Sequence, residues 1–329
     1  MQTMNILLLS VGTRNKIVEY FKKALAGKGK VVAADCSILA PALYTADSFY
    51  IIPRLKEEGY IKSIMEICRK EAIAGVMSLI DPELSVLAKQ EKEFEEIGVK
   101  VIGSPYPLCE LALDKWEMYR WLKAHQYSCA ETYLNSTAWK EAFLKGKVRF
   151  PVFIKPRRGS ASLYISCVNS IKMLDALLSE KEEIEEMIIQ EYLKGQEIGA
   201  DCYIDLISGK VISVFLKKKL AMRAGETDKA VSFWDIKLYQ LIESFVLEMG
   251  YRGVVDIDLF EINGKYYISE VNPRFGGGYP HAYECGADFM GFIVKNLEGE
   301  ENTPQIGEYK EHMSMMKYNE IQMVKEQME

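Results

Sequence analysis

The segment from Gly253 to Arg274 limits the chain more than any other. Two runs of strand character, Val254 to Phe260 and Tyr266 to Val271, flank Asn263-Gly264, a dipeptide that favours the positive-φ positions of a tight hairpin turn. Side chains alternate along a strand. Asp256 and Asp258 therefore share a face, opposite Val255, Ile257 and Leu259, and Glu270 and Asn272 share a face of the partner strand. A hairpin brings the two polar faces together, where the acids repel one another. A hard divalent cation with oxygen ligands relieves that repulsion, and Mg²⁺ bridging phosphates is the common case. The plain alternative is the solvated face of an amphipathic hairpin, and for Asp256 alone the two readings balance. For Glu270 and Asn272 they do not, because Pro273-Arg274-Phe275-Gly276-Gly277-Gly278 follows at once, a stretch too constrained for an ordinary surface turn. Arg274 also adds a planar cation suited to a phosphoryl group.

The first third reads differently. Asn5 to Val11, Val31 to Ala34, Ala74 to Ile80 and Val99 to Ile102 are short apolar runs, with helical stretches at Lys16 to Leu25, Tyr60 to Glu71 and Leu84 to Ile97. That alternation predicts a parallel sheet with helices on its faces. A dinucleotide site is tested at the first turn and fails. Ser10-Val11-Gly12-Thr13-Arg14 holds one glycine where the fingerprint needs three, although Asp35 stands where a ribose-binding acid would. Beyond Pro105-Tyr106-Pro107 the pattern becomes α+β. A helix is expected from Leu108 to about Ala124, strands at Val148 to Lys155 and Met187 to Glu191, and a hairpin across Ser208-Gly209. A long amphipathic helix follows from Trp234 to Met249. The tail reads as peripheral, with a possible last strand near Met313 to Tyr318.

Two further stretches suit nucleotide chemistry. A strand delivers Lys155 into a small, basic, hydroxyl-bearing loop, Pro156-Arg157-Arg158-Gly159-Ser160-Ala161-Ser162. Backbone N–H groups in such a loop can cradle phosphates, although a surface loop explains it as simply. The second runs from Met187 through Gln190, Glu191, Tyr192 and Leu193 to Glu197. It ends a strand in a polar pair, where an adenine edge can pair and a later carboxylate can hold ribose.

In this order these elements resemble the ATP-grasp superfamily, and within it the stand-alone relatives of the carbamoyl-phosphate synthase large subunit that act as carboxylate–amine ligases. The pattern runs from Asp114-Lys115 through Lys155, Gln190 to Glu197 and Arg223-Ala224-Gly225-Glu226 to Glu270-Val271-Asn272-Pro273-Arg274. The resemblance implies an α/β parallel-sheet domain over residues 1–112, of the kind that precedes ATP-grasp modules. An α+β ATP-grasp module over 113–305 follows, with a lid subdomain at about 127–190, then a tail at 306–329. It implies ATP with Mg²⁺, or Mn²⁺ in its place. Lys115 and Lys155 would contact phosphates, and Gly159, Ser160 and Ser162 would close over them. Gln190, Glu191, Tyr192 and Leu193 would border the adenine, and Glu197 would hold ribose. Asp258, Glu270 and Asn272 would hold the metal, with Asp256 in reserve. Arg223 and Arg274 would stabilise the transferring phosphoryl group and the tetrahedral intermediate. Two departures stand out: Gln190 is an amide where an acid is also common, and the lid loop carries one glycine.

Substrate recognition is less marked. Asp81-Pro82-Glu83 stands at the end of a parallel strand, where ligands of such sheets gather; Glu83 could read an amine, or cap a helix, and Gly276, Gly277 and His281 could line the pocket. Lys217-Lys218-Lys219 alternates near a strand end, which predicts at most one lysine facing the site. The expected reaction passes through an acylphosphate to an amide. Its rivals are bicarbonate activation, a thiol or hydroxyl acceptor, and a nucleotide-binding module without catalysis. A net charge of −6 over 329 residues gives no reason to expect nucleic acid or an anionic membrane as partner. Seven scattered cysteines without a C-x-x-C pair argue against zinc and a disulfide framework. The expectation is a cytoplasmic protein acting on small carboxylates and amines, with a homodimer as its assembly.

Overall fold

The computed structural model describes residues 4–159, 165–181 and 186–325. The first part is a parallel sheet of β1 (Asn5–Leu9), β2 (Val31–Asp35), β3 (Ser48–Ile51), β4 (Ile73–Ser78) and β5 (Lys100–Val101), in the order β3-β2-β1-β4-β5. All of β1 and β2 is buried, as expected where helices cover both faces of a parallel sheet. Helix Asn15–Leu25 buries Ile17, Val18, Phe21 and Leu25. The strand order reverses between β1 and β4, which opens a crevice at their C-terminal ends. β3 lies outside the sequence reading because it is a half-exposed edge strand without a buried run. The helix expected over Leu84 to Ile97 is two, Asp81–Lys89 and Glu91–Glu96.

The helix expected over Leu108 to Ala124 is likewise broken, into Tyr106–Leu113 and Lys115–Ala124. The cause is Asp114. Its carboxylate accepts the N–H groups of Trp116 and Glu117, each at 3.1 Å, and so starts a new helix by N-capping it. Next comes a four-stranded antiparallel sheet of β6 (Thr132–Tyr133), β7 (Val152–Pro156), β8 (Ser166–Val168) and β9 (Met187–Glu191), in the order β6-β9-β7-β8. It has its own small core around Trp139, Val152, Ile154, Leu174 and Ile189.

The largest element is a six-stranded antiparallel sheet: β10 (Gln196–Ile204), β11 (Val211–Arg223), β12 (Glu226–Phe233), β13 (Gly253–Ile262), β14 (Lys265–Asn272) and β15 (Ser314–Met316). Their order is β14-β13-β10-β11-β12-β15. One face packs Val255, Ile257 and Leu259 against Leu238, Ile242 and Phe245 of helix Ile236–Met249. The other face changes character along its length. At one end Val254, Tyr203 and Phe215 join the core beneath the parallel sheet, together with Phe275, Tyr279 and Phe289. Two residues further along β13 the same face carries Asp256 and Asp258. The last strand expected near Met313 to Tyr318 is β15, but the tail is less peripheral than expected: β15 pairs with β12, and Lys317 reaches Glu226 at 2.8 Å. Among the described residues no helix is long and apolar enough to cross a membrane.

Candidate active site

The polar face of β13 and β14 forms the floor. Asp258 lies opposite Glu270 and Asp256 opposite Asn272, with Ser269 bulged out of register beyond them. On the other side of β13, β10 sets Gly199 opposite Asp258 and Asp201 opposite Asp256. Lys217 and Lys219 of β11 enter the same face, where the sequence reading allowed one lysine at most. Strand β11 continues to Arg223, so its alternation sends residues 217 and 219 inward and leaves Lys218 over the Phe233 ring. Lys219 Nζ sits 2.6 Å from Asp258 and 2.9 Å from Glu197. Burial pushes its pKa down, but Asp258 and Glu197 outweigh that and hold it above the ordinary lysine value. Lys217 pairs with Asp201, both fully buried. Gly199 makes room for the two stems, since a Cβ there would stand 2.8 Å from Lys217 Cε. Burial raises the Asp256 pKa, Asp258 and Asp201 push the same way, and Lys217 and Arg274 oppose them.

The glycine run is explained by contact. A Cβ on Gly276 would lie 2.5 Å from the Asp256 carboxyl, and one on Gly277 would lie 2.5 Å from the Glu226 carboxyl. At Gly276 the chain crosses the buried Asp256 carboxyl as bare backbone, whereas the half-exposed Glu226 side chain could swing aside to admit a Cβ at Gly277.

Above the floor is a cavity of about 190 Å³, walled by Arg14, Asp81, Glu226 and Arg274 and opening onto Glu270 and Asn272. Arg274 donates to Asp81 at 2.8 and 2.9 Å and lies 3.6 Å from Asp256. Arg14 donates to Glu226 at 2.9 Å. Asp81 and Arg14 come from the crevice between β4 and β1. Of the pair Asp81 and Glu83, the structure turns Asp81 to the cavity. Glu83 points away and accepts the hydroxyls of Ser10, Ser78 and Tyr60, so it neither reaches the cavity nor caps the helix. Asp35 accepts the Gly12 N–H at 2.9 Å and pins the first turn. Arg14 and Lys317 escaped the sequence reading because each comes from irregular chain with no periodic signal.

The elements expected at the nucleotide border a second, smaller cleft. It is lined by Lys115, Tyr119, Gln190 and Glu270, and Glu270 faces both spaces. Lys115 Nζ donates to Gly159 O at 2.5 Å. Lys155 is buried, and burial pushes its pKa down to about 8, with Glu270 opposing and Lys115 adding to the shift. Gln190 donates to Thr132 Oγ1 at 3.0 Å, and Glu191 accepts the Glu131 N–H at 3.1 Å. Tyr192 is exposed beside Phe153, and Leu193 is buried. Ser160 and Ser162 lie outside the described residues. Arg223 is exposed at the end of β11 and does not line the cavity, whereas its neighbours Met222 and Ala224 do. His281 is buried under the floor, with Nε2 2.8 Å from Met313 O and its ring edge on Phe215. It lines neither space.

Among the described residues no three His, Cys, Asp or Glu side chains gather closely enough to hold a metal alone. Glu270 and Asn272 nonetheless present oxygens to the cavity, and no described side chain pairs with either. Hard oxygen donors of this kind, one or two from protein with the rest from phosphate and water, fit Mg²⁺.

Residues 112–278 match the ATP-grasp domain model. The chain belongs to the ATP-grasp family. Residues 6–102 match the model of the PylC-like N-terminal domain. The arginine-specific carbamoyl phosphate synthase large chain of Geobacillus stearothermophilus is 22% identical over 284 residues, covering 83% of this chain and 26% of that one. A D-alanine–D-alanine ligase of Fervidobacterium nodosum is 23% identical over 251 residues, 66% of this chain and 76% of that one. This ATP-grasp chain therefore spans about a quarter of the synthase (26%). In fold it is similar to the biotin carboxylase domain of Hydrogenobacter thermophilus 2-oxoglutarate carboxylase, solved with MgADP, ADP and bicarbonate. The TM-score is 0.74 at 16% identity, over 95% of this chain and 74% of that one. It is also similar to N5-carboxyaminoimidazole synthetase of Staphylococcus aureus with ADP, with a TM-score of 0.73 at 17% identity over 92% and 79%.

Proposed function

We propose that this ATP-grasp chain is an ATP-dependent carboxylate–amine ligase. The observation that carries the reading is the floor: Asp258, Glu270 and Asn272 meet on one face of β13 and β14, beside Arg274 and Lys219, in a cavity that adjoins the Lys115 and Gln190 cleft.

On this reading residues 113–305 supply the nucleotide side and residues 1–112 the far wall of the substrate side. Lys115 and Lys155 bear on the phosphates, Gln190 to Leu193 border the base, and Glu197 takes ribose. Mg²⁺, or Mn²⁺, would be held by Glu270, Asn272 and Asp258, and would neutralise phosphate charge. A substrate carboxylate attacks the γ-phosphorus of ATP, giving an acylphosphate and ADP. The amine gives one proton to solvent, adds to the acyl carbon as the free base, and the tetrahedral oxyanion collapses with loss of phosphate, which carries off the second nitrogen proton and leaves an amide. Little covalent help is required of the protein. Its part is positioning and fixed charge, the main sources of catalysis in phosphoryl transfer. Arg274 is suited to that part because Asp81 and Asp256 lock its guanidinium in place. Arg223 could take part only by swinging in from the surface.

The test is ADP release from MgATP with pooled carboxylates and hydroxylamine in place of the amine. A hydroxamate from one pool, absent in Glu270→Ala, is the expected result. ADP release unaffected by Glu270→Ala, or none from any pool, would count against ligation.

A further inference from the structure

The wall carries charges that this mechanism leaves unused. Arg14 is one-fifth exposed, with a side-chain value of 21%. Its NH2 group donates to Glu226, and NH1 makes only a long contact of 3.4 Å to Phe275 O. A guanidinium has five donors, so most of this fork is unspent. Asp81 is 6% exposed; its Oδ2 takes both bonds from Arg274, while its Oδ1 has no partner. Both residues stand at the crevice where the order of the parallel sheet reverses, the usual place for a ligand in such sheets.

Around the wall the signs alternate: Arg14 beside Glu226, Arg274 between Asp81 and Asp256. A simple anion entering this space meets five carboxylates, those of Asp81, Glu226, Asp256, Asp258 and Glu270, and a simple cation meets Arg14, Arg274 and Lys219. A ligand with both signs a few ångströms apart meets a partner for each. We propose that the amine substrate is an α-amino acid bound in this cavity as its zwitterion, with its carboxylate on Arg14 and its ammonium toward Asp81. Only the role as amine substrate rests on the ligase reading. Arginine is the natural choice for a carboxylate, because the fork matches it with two parallel bonds. Glu226 can yield Arg14 without being stranded, because Lys317 pairs with its other oxygen. Arg14 thus acts as a specificity residue supplied by the first turn of the N-terminal sheet.

The test is calorimetric titration in the presence of MgADP with a panel of L- and D-amino acids. Each is compared with the amine left by removing its carboxyl group and with its N-acetyl derivative. At least one amino acid should bind wild type, with both derivatives at least about thirtyfold weaker, the scale of a lost charge-assisted bond. Arg14→Met, with folding checked by a cooperative melt, should erase the advantage of the amino acid over its amine, and Arg14→Lys should restore part of it. Failure of every amino acid to bind, an amine binding as tightly as its parent, or an advantage surviving in Arg14→Met would each overturn the assignment. Amino acid binding by a chain that forms no hydroxamate would keep this site and sink only the ligation.

Discussion

The floor and the wall of the cavity are built on opposite plans. The floor is regular. Its charges sit at alternate positions of adjacent strands, so Asp256, Asp258, Glu270, Asn272, Lys217 and Lys219 share a face by geometry. The wall is assembled from distant loops: Arg14 from the first turn, Asp81 from the end of β4, Glu226 from the edge of a hairpin and Lys317 from the tail. The two also differ at their extremes of burial. Lys217 and Asp201 are 1% and 0% exposed, while Glu226 and Lys317 are 41% and 30% exposed. Floor residues should therefore matter through fixed geometry and stability, and wall residues through selectivity.

Substitutions can break that contrast. The largest effect should follow Lys217→Met, which strands the Asp201 charge in the interior. Losing one partner of a buried ion pair costs about 3–5 kcal/mol, and denaturant unfolding should show it, with partial recovery in Lys217→Met combined with Asp201→Asn. Recovery to wild type with Lys217→Met alone would mean the pair is not buried as described. Glu270→Ala should reduce hydroxamate formation on the order of a thousandfold, about 4 kcal/mol of transition-state stabilisation, without a comparable loss of stability. Gly276→Ala should lower both stability, by about 1–3 kcal/mol, and turnover, since the added methyl meets the Asp256 carboxyl. A fully active Gly276→Ala would remove the steric account of the glycine run.

Lys155 supplies a pH signature. Its folded pKa of about 8 lies below the ordinary lysine value, so between the two the unfolded chain binds more protons. Stability should thus rise with pH across that window as far as this group is concerned. Nucleotide binding should run the other way, because phosphate favours the ammonium. Affinity should fall by up to about tenfold per pH unit above pH 8, with proton uptake on binding, and Lys155→Met should abolish the uptake. The smallest effect belongs to the wall. Lys317→Ala breaks a half-exposed pair worth under about 1 kcal/mol, and should raise the KM for the amine by a fewfold while leaving kcat for hydroxylamine alone. A change in kcat would place the tail in the chemistry itself.

The same contrast explains what the sequence disclosed. A period of two in Val255-Asp256-Ile257-Asp258 is enough to orient the floor, and Asn263-Gly264 is enough to pair it with Glu270 and Asn272. The lysines were missed by half, because the reach of β11 to Arg223 depends on pairing with β12, a polar strand with no apolar pattern of its own. Asp81 and Glu83 lay two residues apart at the right strand end, but which of them turns inward depends on hydroxyls from Ser10, Ser78 and Tyr60, and those come from three separate segments. Arg223 illustrates the reverse. Its place in a familiar order suggested the site, while the turn at Ala224-Gly225, with φ of 50° and 78°, leaves it facing outward.

The face that passes from apolar to charged along β13 has a mechanical consequence. Its apolar end is fused to the N-terminal core, so the parallel sheet and the six-stranded sheet share one interior. The four-stranded sheet keeps a separate core of its own. Cooperative units defined by shared cores open independently and reveal themselves by their rates of amide exchange. Amides of β7 and β9 should therefore lose protection in a first, low-energy opening, while those of β10 and β13 exchange only when the whole molecule unfolds. That order of opening would let the four-stranded sheet move as a jaw while the floor on which the work is done stays fixed.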